Sequence, residues 1–360
     1  MTDLVDRAQW IAETVLFPDA DRVDRTGVVP ESHWRVLAAE GFYGVAARQD
    51  VDLGAMGEAL EVLAGGCLAT TFTWVQHHGV VMGLAGSDNT GLRERFLDAA
   101  VAGRVKGGVA FAGALADPPR LRAEPVDGGW AFTGDGPFVS GWGTVDVLQV
   151  SGVHGDSVVN ALVDAKAAPG LTARPFDLVA AQATNTARLV FDGLRVPADR
   201  VLSTVGLQDF RAVQTFGSRL NGCLALGVAR RCATLLDDLD QSAAAAAVRE
   251  RVDTVRADLD AGLGNVDALL AARAAGSALA YRAAGAVVVA EGGRGVTTGG
   301  HGQRLVREAG FTLVAASRAA VKAALLADLT GAPDRPRSGR GGQDRAAMTS
   351  VEVTGSENIG

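Results

Sequence analysis

Cysteine and positive charge are both scarce in this sequence of 360 residues. The three cysteines, Cys67, Cys223 and Cys232, form an odd count without a Cys-x-x-Cys spacing. This pattern argues against a disulfide framework and a structural zinc site, and it predicts a reducing, cytoplasmic location. No metal site is expected. Lys and Arg number 34 against 41 Asp and Glu, which gives a formal net charge of −7. Nucleic acid and anionic membrane surfaces attract basic proteins, so neither is an expected partner.

Long apolar runs are also missing. The first 17 residues carry four charged side chains and no basic segment, so they do not resemble a signal peptide. The most apolar later stretch, residues 275–293, contains Arg282 and Glu291. It falls short of the roughly 20 apolar residues that a spanning helix needs. With 48% hydrophobic and 21% charged residues, the composition is that of a globular protein in water.

The sequence pattern changes twice along the chain. Residues 1–104 have apolar side chains at helical spacing, as in Trp34, Leu37, Ala38 and Phe42. Residues 105–202 form short segments rich in Val, Phe, Thr and Leu, with a hairpin turn predicted at residues 128–129. Residues 203–330 are helical again, with long helices predicted at 210–236 and 307–329. Residues 331–360 are rich in Gly, Pro, Arg and Ser and predict a disordered tail.

Four segments in this order resemble the acyl-CoA dehydrogenase superfamily of flavoproteins. They are LRERFLDAAVAGRVKGGVAFAG (92–113), GGWAFTGDGPFVSGWGTVDVLQVSG (128–152), TNTARLVFDGLRVPADRVL (184–202) and EGGRGVTTGGHGQRLVREAGF (291–311). The resemblance runs from about residue 10 to residue 328. It implies an α+β fold with an N-terminal helical domain, a central β-barrel-like domain and a C-terminal helical bundle. It also implies an oxidoreductase that binds FAD.

The same resemblance identifies candidate flavin contacts. Phe138 and Ser140 are two residues apart on a predicted strand, so they are expected to share a face. An aromatic ring beside a hydroxyl suits a flat ring system rimmed with hydrogen-bonding atoms. The structural alternative for Phe138 and Ser140 is an ordinary core phenylalanine beside a hydrogen-bonded serine. For the glycine loop at residues 292–295, the alternative is an ordinary turn between helices. The resemblance adds Phe111, Ala112 and Gly113 as a second flavin wall on a strand, Trp142 after the Ser-Gly turn, and Gly292 and Gly293 as a loop that meets a neighbouring subunit's flavin.

The catalytic base of the family is missing from its usual places. Acyl-CoA dehydrogenases remove an α-proton with a Glu on the last helix, nine residues after the Arg of an Arg-Asp-Ala motif. Counting from Arg307 leads to Ala316, which cannot accept a proton, so the chain resembles a divergent member without the usual Glu. The second position used in the family corresponds to Gly217 or Ser218. An Arg-x-x-Phe-Gly segment that reaches the cofactor is also absent, and Arg230, Arg231, Arg249 and Arg294 are the substitutes considered.

His77, His78 and Arg318 are the remaining candidates for a catalytic role. Histidine titrates near neutral pH and suits proton transfer, although a buried structural pair is the alternative. Three functions follow: α,β-oxidation of an acyl-CoA or acyl-carrier-protein thioester, a flavin-dependent monooxygenase on the same fold, or a silent subunit that pairs with an active relative. An electron-transfer partner is also expected. The chain is expected to assemble through its C-terminal bundle, as a homo-oligomer or with a related subunit.

Overall fold

The computed structural model describes residues 2–331, and its N-terminal part is helical. The helices are α1 (Thr2–Ile11), which continues through a π-helical turn (Ala12–Leu16) into α2 (Phe17–Thr26), then α3 (Glu31–Ala39), α4 (Leu53–Gly66), α5 (Leu68–Ala85) and α6 (Thr90–Val101). Local chemistry sets several of their ends. The Asp52 carboxylate accepts from Ala55 N at 2.7 Å to begin α4, and the Asn89 side chain accepts from Leu92 N at 3.1 Å to begin α6.

A single β sheet follows the helices. Its strands are β1 (Gly107–Ala110), β2 (Leu121–Val126), β3 (Gly129–Val139), β4 (Val147–His154), β5 (Ser157–Asp164), β6 (Leu171–Pro175), β7 (Ala187–Pro197) and β8 (Val201–Gly206). The strand order is β6-β7-β3-β2-β4-β5-β8, and β1 pairs in parallel with β4. The predicted hairpin is present between β2 and β3, where Gly128 has a φ of 74°. A left-handed residue in such a turn is most readily glycine.

One part of the predicted strand around residue 111 is wrong. Strand β1 ends at Ala110, and α7 (Ala112–Leu115) is a single helical turn. A Cβ on Gly113 would lie 2.5 Å from Asp135 O, and the Gly113 carbonyl accepts from Arg120 N at 2.8 Å. The chain therefore turns here to pack its backbone against β3, which a continued strand would not allow.

The C-terminal part is a helical bundle. It consists of α8 (Leu207–Asp238), α9 (Ser242–Ala261), α10 (Val266–Glu291), α11 (His301–Val314) and α12 (Ala319–Thr330). The predicted helix at 307–329 is two helices, and Ala316 lies in the turn between them with a φ of 48°. The expectation of a helical backbone at Ala316 is therefore wrong. Apart from Gly331, the predicted tail lies outside the described residues.

Two large apolar cores stabilise this architecture. One joins α1, α4 and α5 to the C-terminal helices, so both helical regions share it, and the other fills the β sheet. Helices α4 and α8 cross closely, since a Cβ on Gly227 would lie 2.2 Å from Glu61 O. Helix α5 lies equally close to the sheet. A Cβ built on Gly79 would lie 2.6 Å from Val109 Cγ1, and a Cβ built on Gly83 would lie 2.4 Å from Gln149 Oε1. Helix α5 thus sits between the helical core and the sheet.

No helix among residues 2–331 is both long enough and apolar enough to cross a membrane. The order of the elements is the predicted one: a helical region, then a β domain, then a second helical region. The exact domain limits at residues 104, 202 and 330 stay a prediction.

Candidate functional site

Phe138 presents an aromatic face to solvent at the end of strand β3. Its φ is 54°, and the pairing of β3 with β7 shifts register between Gly136 and Val139. Such an irregularity redirects a side chain from the regular alternation of a strand. The ring is 66% exposed and stacks on Phe176, with ring centroids 4.7 Å apart and planes inclined by 15°. One face of Phe138 is therefore packed, and much of the ring remains open for a planar ligand.

Ser140 belongs to a buried chain of three hydroxyl groups. Its Oγ lies 2.8 Å from Thr186 Oγ1, which lies 2.8 Å from Thr184 Oγ1. All three residues are buried. Three hydroxyls carry three donor protons, and the two bonds within the chain use two of them. One O–H of this hydroxyl chain is thus left to donate to another acceptor. Sequence reasoning missed Thr184 and Thr186 as site residues, although the Thr-x-Thr turn was the signal.

The loop after Ser140 is held against the turn that carries these threonines. Gly141 N donates to Thr184 O at 2.8 Å, and Trp142 N donates to Asn185 O at 3.1 Å. The Asn185 amide also donates to Thr144 Oγ1 at 3.0 Å. The Trp142 side chain is half-buried and packs on the core of the β domain. These bonds hold the loop after Ser140 against the turn at residues 184–186. Phe138, Ser140 and Trp142 lie within five residues of one another at this end of β3, and we call this segment the β wall.

The other predicted cofactor contacts lie elsewhere in the single chain. The Phe111 ring contacts Phe210 edge-on at 5.7 Å, and Ala112 and Gly113 lie in the short helix α7. Gly292, with a φ of 62°, and Gly293 lie just after α10, and a Cβ built on either would meet no atom within 4 Å. No contact between these residues and Phe138 is seen in the described part of the chain. Their role toward a cofactor stays a prediction.

His77 is a structural brace in α5. Gly107 N donates to His77 Nδ1 at 2.9 Å, so the ring proton is on Nε2, which donates to Ala100 O at 3.1 Å. Burial lowers the pKa of His77 to about 4. Both nitrogens are therefore occupied by backbone groups, and the ring is neutral at pH 7. His77 thus ties helix α5 to the first strand and to the end of α6.

His78 is also buried, but it differs from His77 in its contacts. Its ring contacts Trp74 edge-on at 4.7 Å, and neither nitrogen has a hydrogen-bond partner among the described residues. Burial lowers the pKa of His78 to about 3. The ring is neutral at pH 7 and a weak base. Neither His77 nor His78 lines the cleft described next.

A narrow cleft lies where α5, α8, α10 and α11 meet. Its side chains are packed so closely that no gap between them admits a water molecule. The lining residues, which we call the helical cleft, are Leu68, Phe72, Asn221, Leu224, Arg273, Phe311, Thr312 and Ala315. This set contains one charged group, the Arg273 guanidinium, and no carboxylate or imidazole. Ala316, which the sequence resemblance predicts to replace the family's Glu, directly follows Ala315.

Arg273 is the residue of this cleft that sequence reasoning missed. It is 3% exposed, and burial lowers the pKa of its guanidinium to about 10, so it is charged at pH 7. The only signal was an arginine within an Ala-rich helix, which looks like part of a polar stripe. Arg318 begins α12 and is half-buried, and burial lowers its pKa as well.

Three of the four arginines considered as substitutes for the family's cofactor arginine are near acids, and the fourth, Arg294, lies in the turn after α10. Arg231 pairs with Glu13 at 2.6 Å, and Arg249 pairs with Asp237. Arg230 lies 3.8 Å from the fully buried Glu61. These three arginines line a polar cavity of about 270 Å³ between α1, α4, α8 and α9. Residues 2–331 contain no group of three His, Cys, Asp or Glu side chains arranged to hold a metal ion.

Comparison with known proteins identifies the fold. No protein-family model and no curated protein matches the sequence. Among solved structures, the chain is similar to butyryl-CoA dehydrogenase from Megasphaera elsdenii, with a TM-score of 0.78, 18% identity, and coverage of 91% of this chain and 97% of that one. A glutaryl-CoA dehydrogenase in complex with glutaryl-CoA gives a TM-score of 0.79, 16% identity, and coverage of 92% and 96%.

A third structure extends this likeness. A glutaryl-CoA dehydrogenase from Mycobacterium smegmatis in complex with FADH2 gives a TM-score of 0.75, 16% identity, and coverage of 91% and 94%. These likenesses span nearly the whole length of each protein. They show that the chain has the acyl-CoA dehydrogenase fold, which confirms the fold expected from the four sequence segments.

Proposed function

We propose that this chain is an FAD-dependent oxidoreductase that acts on an acyl thioester. The fold supports this proposal, since one neighbour with it is a complex with FADH2. The observation that carries it is the β wall, where the exposed ring of Phe138 lies beside a buried hydroxyl chain with one unused donor. This pairing fits the ring of a flavin, which is planar and carries hydrogen-bond acceptors along its edge.

The residues present assign separate tasks. Phe138 would stack on the ring, and the free O–H of the Ser140–Thr186–Thr184 chain would donate to an acceptor at its edge. Gly292 and Gly293 lack side chains and would let a neighbouring subunit's backbone approach the cofactor. When bound, a flavin supplies hydride or electron transfer with the substrate. The exposed apolar residues Tyr281, Val289, Val314 and Leu326 on the C-terminal bundle support the proposal that the chain forms an oligomer.

The proton acceptor of an α,β-oxidation is not supplied by the helical cleft. General-base catalysis needs a group that can take the α-proton, and the cleft offers a guanidinium in the region of Ala316. Arg273 remains protonated at pH 7 because even its lowered pKa is about 10. This observation favours a second candidate, a flavin-dependent monooxygenase, whose chemistry does not need a carboxylate at this position.

Cofactor content and reduction separate these possibilities. The purified chain is expected to bind FAD, measured by absorbance and by mass spectrometry of the released cofactor. Bleaching of the flavin by butyryl-CoA without oxygen would support α,β-dehydrogenation of the thioester. Oxygen-dependent product formation with a supplied flavin reductant, and no bleaching by butyryl-CoA, would support the monooxygenase. A chain that never binds FAD would contradict both and support the silent-subunit hypothesis. Electron-transfer partners and the cytoplasmic location stay proposals.

A further inference from the structure

Arg174 and Arg188 face each other across strands β6 and β7, and we call them the arginine pair. The two residues are directly opposite in the antiparallel pairing, so their Cβ atoms are about 5 Å apart. The neighbours of Arg188, Ala187 and Leu189, are buried in the core of the sheet, which leaves both arginines on the outer face. Like charges directly opposite each other are destabilising, and an anion bound between them would remove that repulsion.

The acidic residue beside the arginine pair is already engaged. Asp135 on β3 accepts two hydrogen bonds from Arg120, at 2.9 and 2.6 Å. Its Oδ2 lies 3.7 Å from Arg188 Nε, which is shielded from solvent and has no hydrogen-bond partner among the described residues. Arg174 forms no ion pair with any residue between 2 and 331. One carboxylate therefore serves Arg120 and Arg188, and this part of the sheet keeps an excess of positive charge.

The arginine pair lies on the same face of the sheet as the β wall. The pairing of β6 with β7 continues beyond it, since Phe176 N donates to Thr186 O at 3.0 Å. Phe176 stacks on Phe138, and the Thr186 hydroxyl bonds to Ser140. Two residues along a strand span about 7 Å, and alternate side chains share a face. A ligand in contact with the β wall can therefore reach the arginine pair with a charged group.

The chemistry of two opposed guanidinium groups fits a diphosphate better than a carboxylate. A carboxylate has one charge and two oxygens, which a single guanidinium can occupy. A diphosphate has more than one negative charge, and the oxygens on its two phosphorus atoms can bind one guanidinium each. Within the described chain neither guanidinium of the arginine pair donates a hydrogen bond, so the N–H donors of both are open to a ligand.

We propose that Arg174 and Arg188 bind the diphosphate group of a ligand that lies along the face of the β wall. FAD and CoA both carry such a group, and binding measurements on matched compounds separate them. The choice of these two compounds rests on the proposed function, whereas the open guanidinium groups are a property of the sheet itself. The diphosphate supplies the negative charge that Asp135 alone does not provide.

FAD and riboflavin form one matched pair of probes, and CoA and pantetheine form the other. In each pair the first compound carries the diphosphate and the second lacks it. Flavin affinities are measured by fluorescence titration and the other two by titration calorimetry, on the full chain as purified and with its FAD content determined. Charge-assisted hydrogen bonds to two arginines predict a preference of at least about 10-fold within one pair. Equal affinities within both pairs would overturn the inference.

The arginine variants assign that preference to the diphosphate, because the probes also differ by an adenosine. Arg188→Gln and Arg174→Gln should each weaken binding of the preferred compound by about 10-fold and leave its partner compound unchanged. Arg195→Gln is the matched control, since Arg195 is exposed on the same strand and its loss changes the net charge equally. An effect on FAD identifies the cofactor as the source, and an effect on CoA identifies the substrate. Affinities unchanged in both variants would overturn the inference.

Thermal unfolding without ligand shows whether the variants are folded. Arg174 is exposed, so Arg174→Gln decides the outcome if Arg188→Gln does not fold. Arg174→Gln also removes the repulsion within the arginine pair, so its unfolding temperature should equal or exceed that of the wild type. A clearly lower unfolding temperature in both variants would show that the pair is structural and would count against a ligand.

Inorganic pyrophosphate separates a failure of this inference from a failure of the proposed function. A chain that binds neither FAD nor CoA, but binds pyrophosphate with an affinity that Arg188→Gln lowers about 10-fold, contradicts the proposed function and leaves the diphosphate site standing. A chain that binds FAD as tightly in both arginine variants as in the wild type, with CoA affinity also unchanged, contradicts the inference and leaves the proposed function standing.

Discussion

The β wall and the helical cleft bury polar groups in opposite ways. In the β wall, Ser140, Thr186 and Thr184 satisfy one another, and no charge is buried. In the helical cleft, Arg273 is buried with its charge and without a carboxylate. A neutral hydroxyl chain is stable by itself, whereas a buried cation without a counterion is destabilising. The β wall therefore keeps one spare neutral donor, whereas the helical cleft holds a cation whose hydrogen-bond partners within residues 2–331 are all neutral.

The largest effect is expected from Glu308→Gln, which would turn Arg304 into a second arginine without a carboxylate. Arg304 is 1% exposed, and its Nη1 donates to Glu308 Oε1 at 2.7 Å. Removing one partner of a buried ion pair should lower the free energy of unfolding by about 3–5 kcal/mol, measured by urea denaturation. The control Glu250→Gln, at an exposed position of α9, should stay within about 0.5 kcal/mol of the wild type. A loss below about 1 kcal/mol would show that this bundle tolerates unpaired arginines in general.

A pH effect is expected next, from the brace that joins the helices to the β domain. Burial lowers the pKa of His77 to about 4 from its ordinary value of 6.5, so the unfolded chain binds its proton more readily. The stabilisation by neutral His77 is therefore fully present above about pH 6.5 and is lost as the pH falls toward 4, to a total of about 3 kcal/mol. His78, whose pKa is lowered to about 3, adds an effect of the same sign.

The measurement is the free energy of unfolding at pH 7 and at pH 4.5. His77→Gln, whose amide can both accept and donate, should make the loss of stability on acidification smaller. His154→Gln at the end of β4 is the control and should leave that loss unchanged. An unchanged pH dependence in His77→Gln would contradict the assignment of His77 as a neutral brace.

A moderate effect is expected from Thr186→Val, which breaks the hydroxyl chain at its centre. Ser140 and Thr184 would both lose their partner, and buried groups without a partner cost about 1–3 kcal/mol in unfolding free energy. Thr172→Val, at an exposed position of β6, is the matched control and should change stability by less than about 0.5 kcal/mol. If Thr186→Val is as stable as the control, the hydrogen bonds among these three hydroxyl groups do not stabilise the β wall.

The smallest effect is expected from Phe138→Ala, which removes an exposed ring. Aromatic stacking contributes about 0.5–1.5 kcal/mol, so FAD binding should weaken by about 3- to 10-fold in a fluorescence titration. Val179→Ala, at a residue that is 86% exposed, serves as the control and should leave FAD affinity unchanged. Unchanged affinity in Phe138→Ala would place the flavin away from the β wall.

The sequence places Phe138 and Ser140 close together by their spacing, and their role toward a flavin stays a prediction. The spacing of Phe138 and Ser140 and the turn before β3 follow from neighbouring residues. The left-handed backbone of Phe138 was not predictable, since it follows from a register shift against β7. The hydrogen bond between Ser140 and Thr186 joins residues 46 positions apart, and the sequence around Ser140 does not predict it.

The helical cleft was much less predictable. The segment 311–330 contains no Gly or Pro, and its alanines favour one continuous helix. The helix nevertheless stops at Val314, where Arg273 from another helix binds the carbonyls of Thr312 and Ala315. A long-range contact thus overrides local propensity. The loss of the usual Glu at Ala316 stays a prediction from the resemblance, whereas the contact of Arg273 with Thr312 and Ala315 became visible only in the fold.

Gly79 and Gly83 of helix α5 set the distance between this helix and the sheet. Adjacent residues of this helix reach the two regions: Thr73 Cγ2 would lie 3.5 Å from a Cβ on Gly141 at the β wall, and Phe72 lines the helical cleft. The distance between α5 and the sheet therefore fixes the separation of those regions. That distance depends on the absence of a Cβ at Gly79 and Gly83. A methyl group at Gly79 would overlap Val109, and one at Gly83 would overlap Gln149. A methyl group added at Gly79 or Gly83 would therefore push α5 away from the sheet and increase the distance between the β wall and the helical cleft.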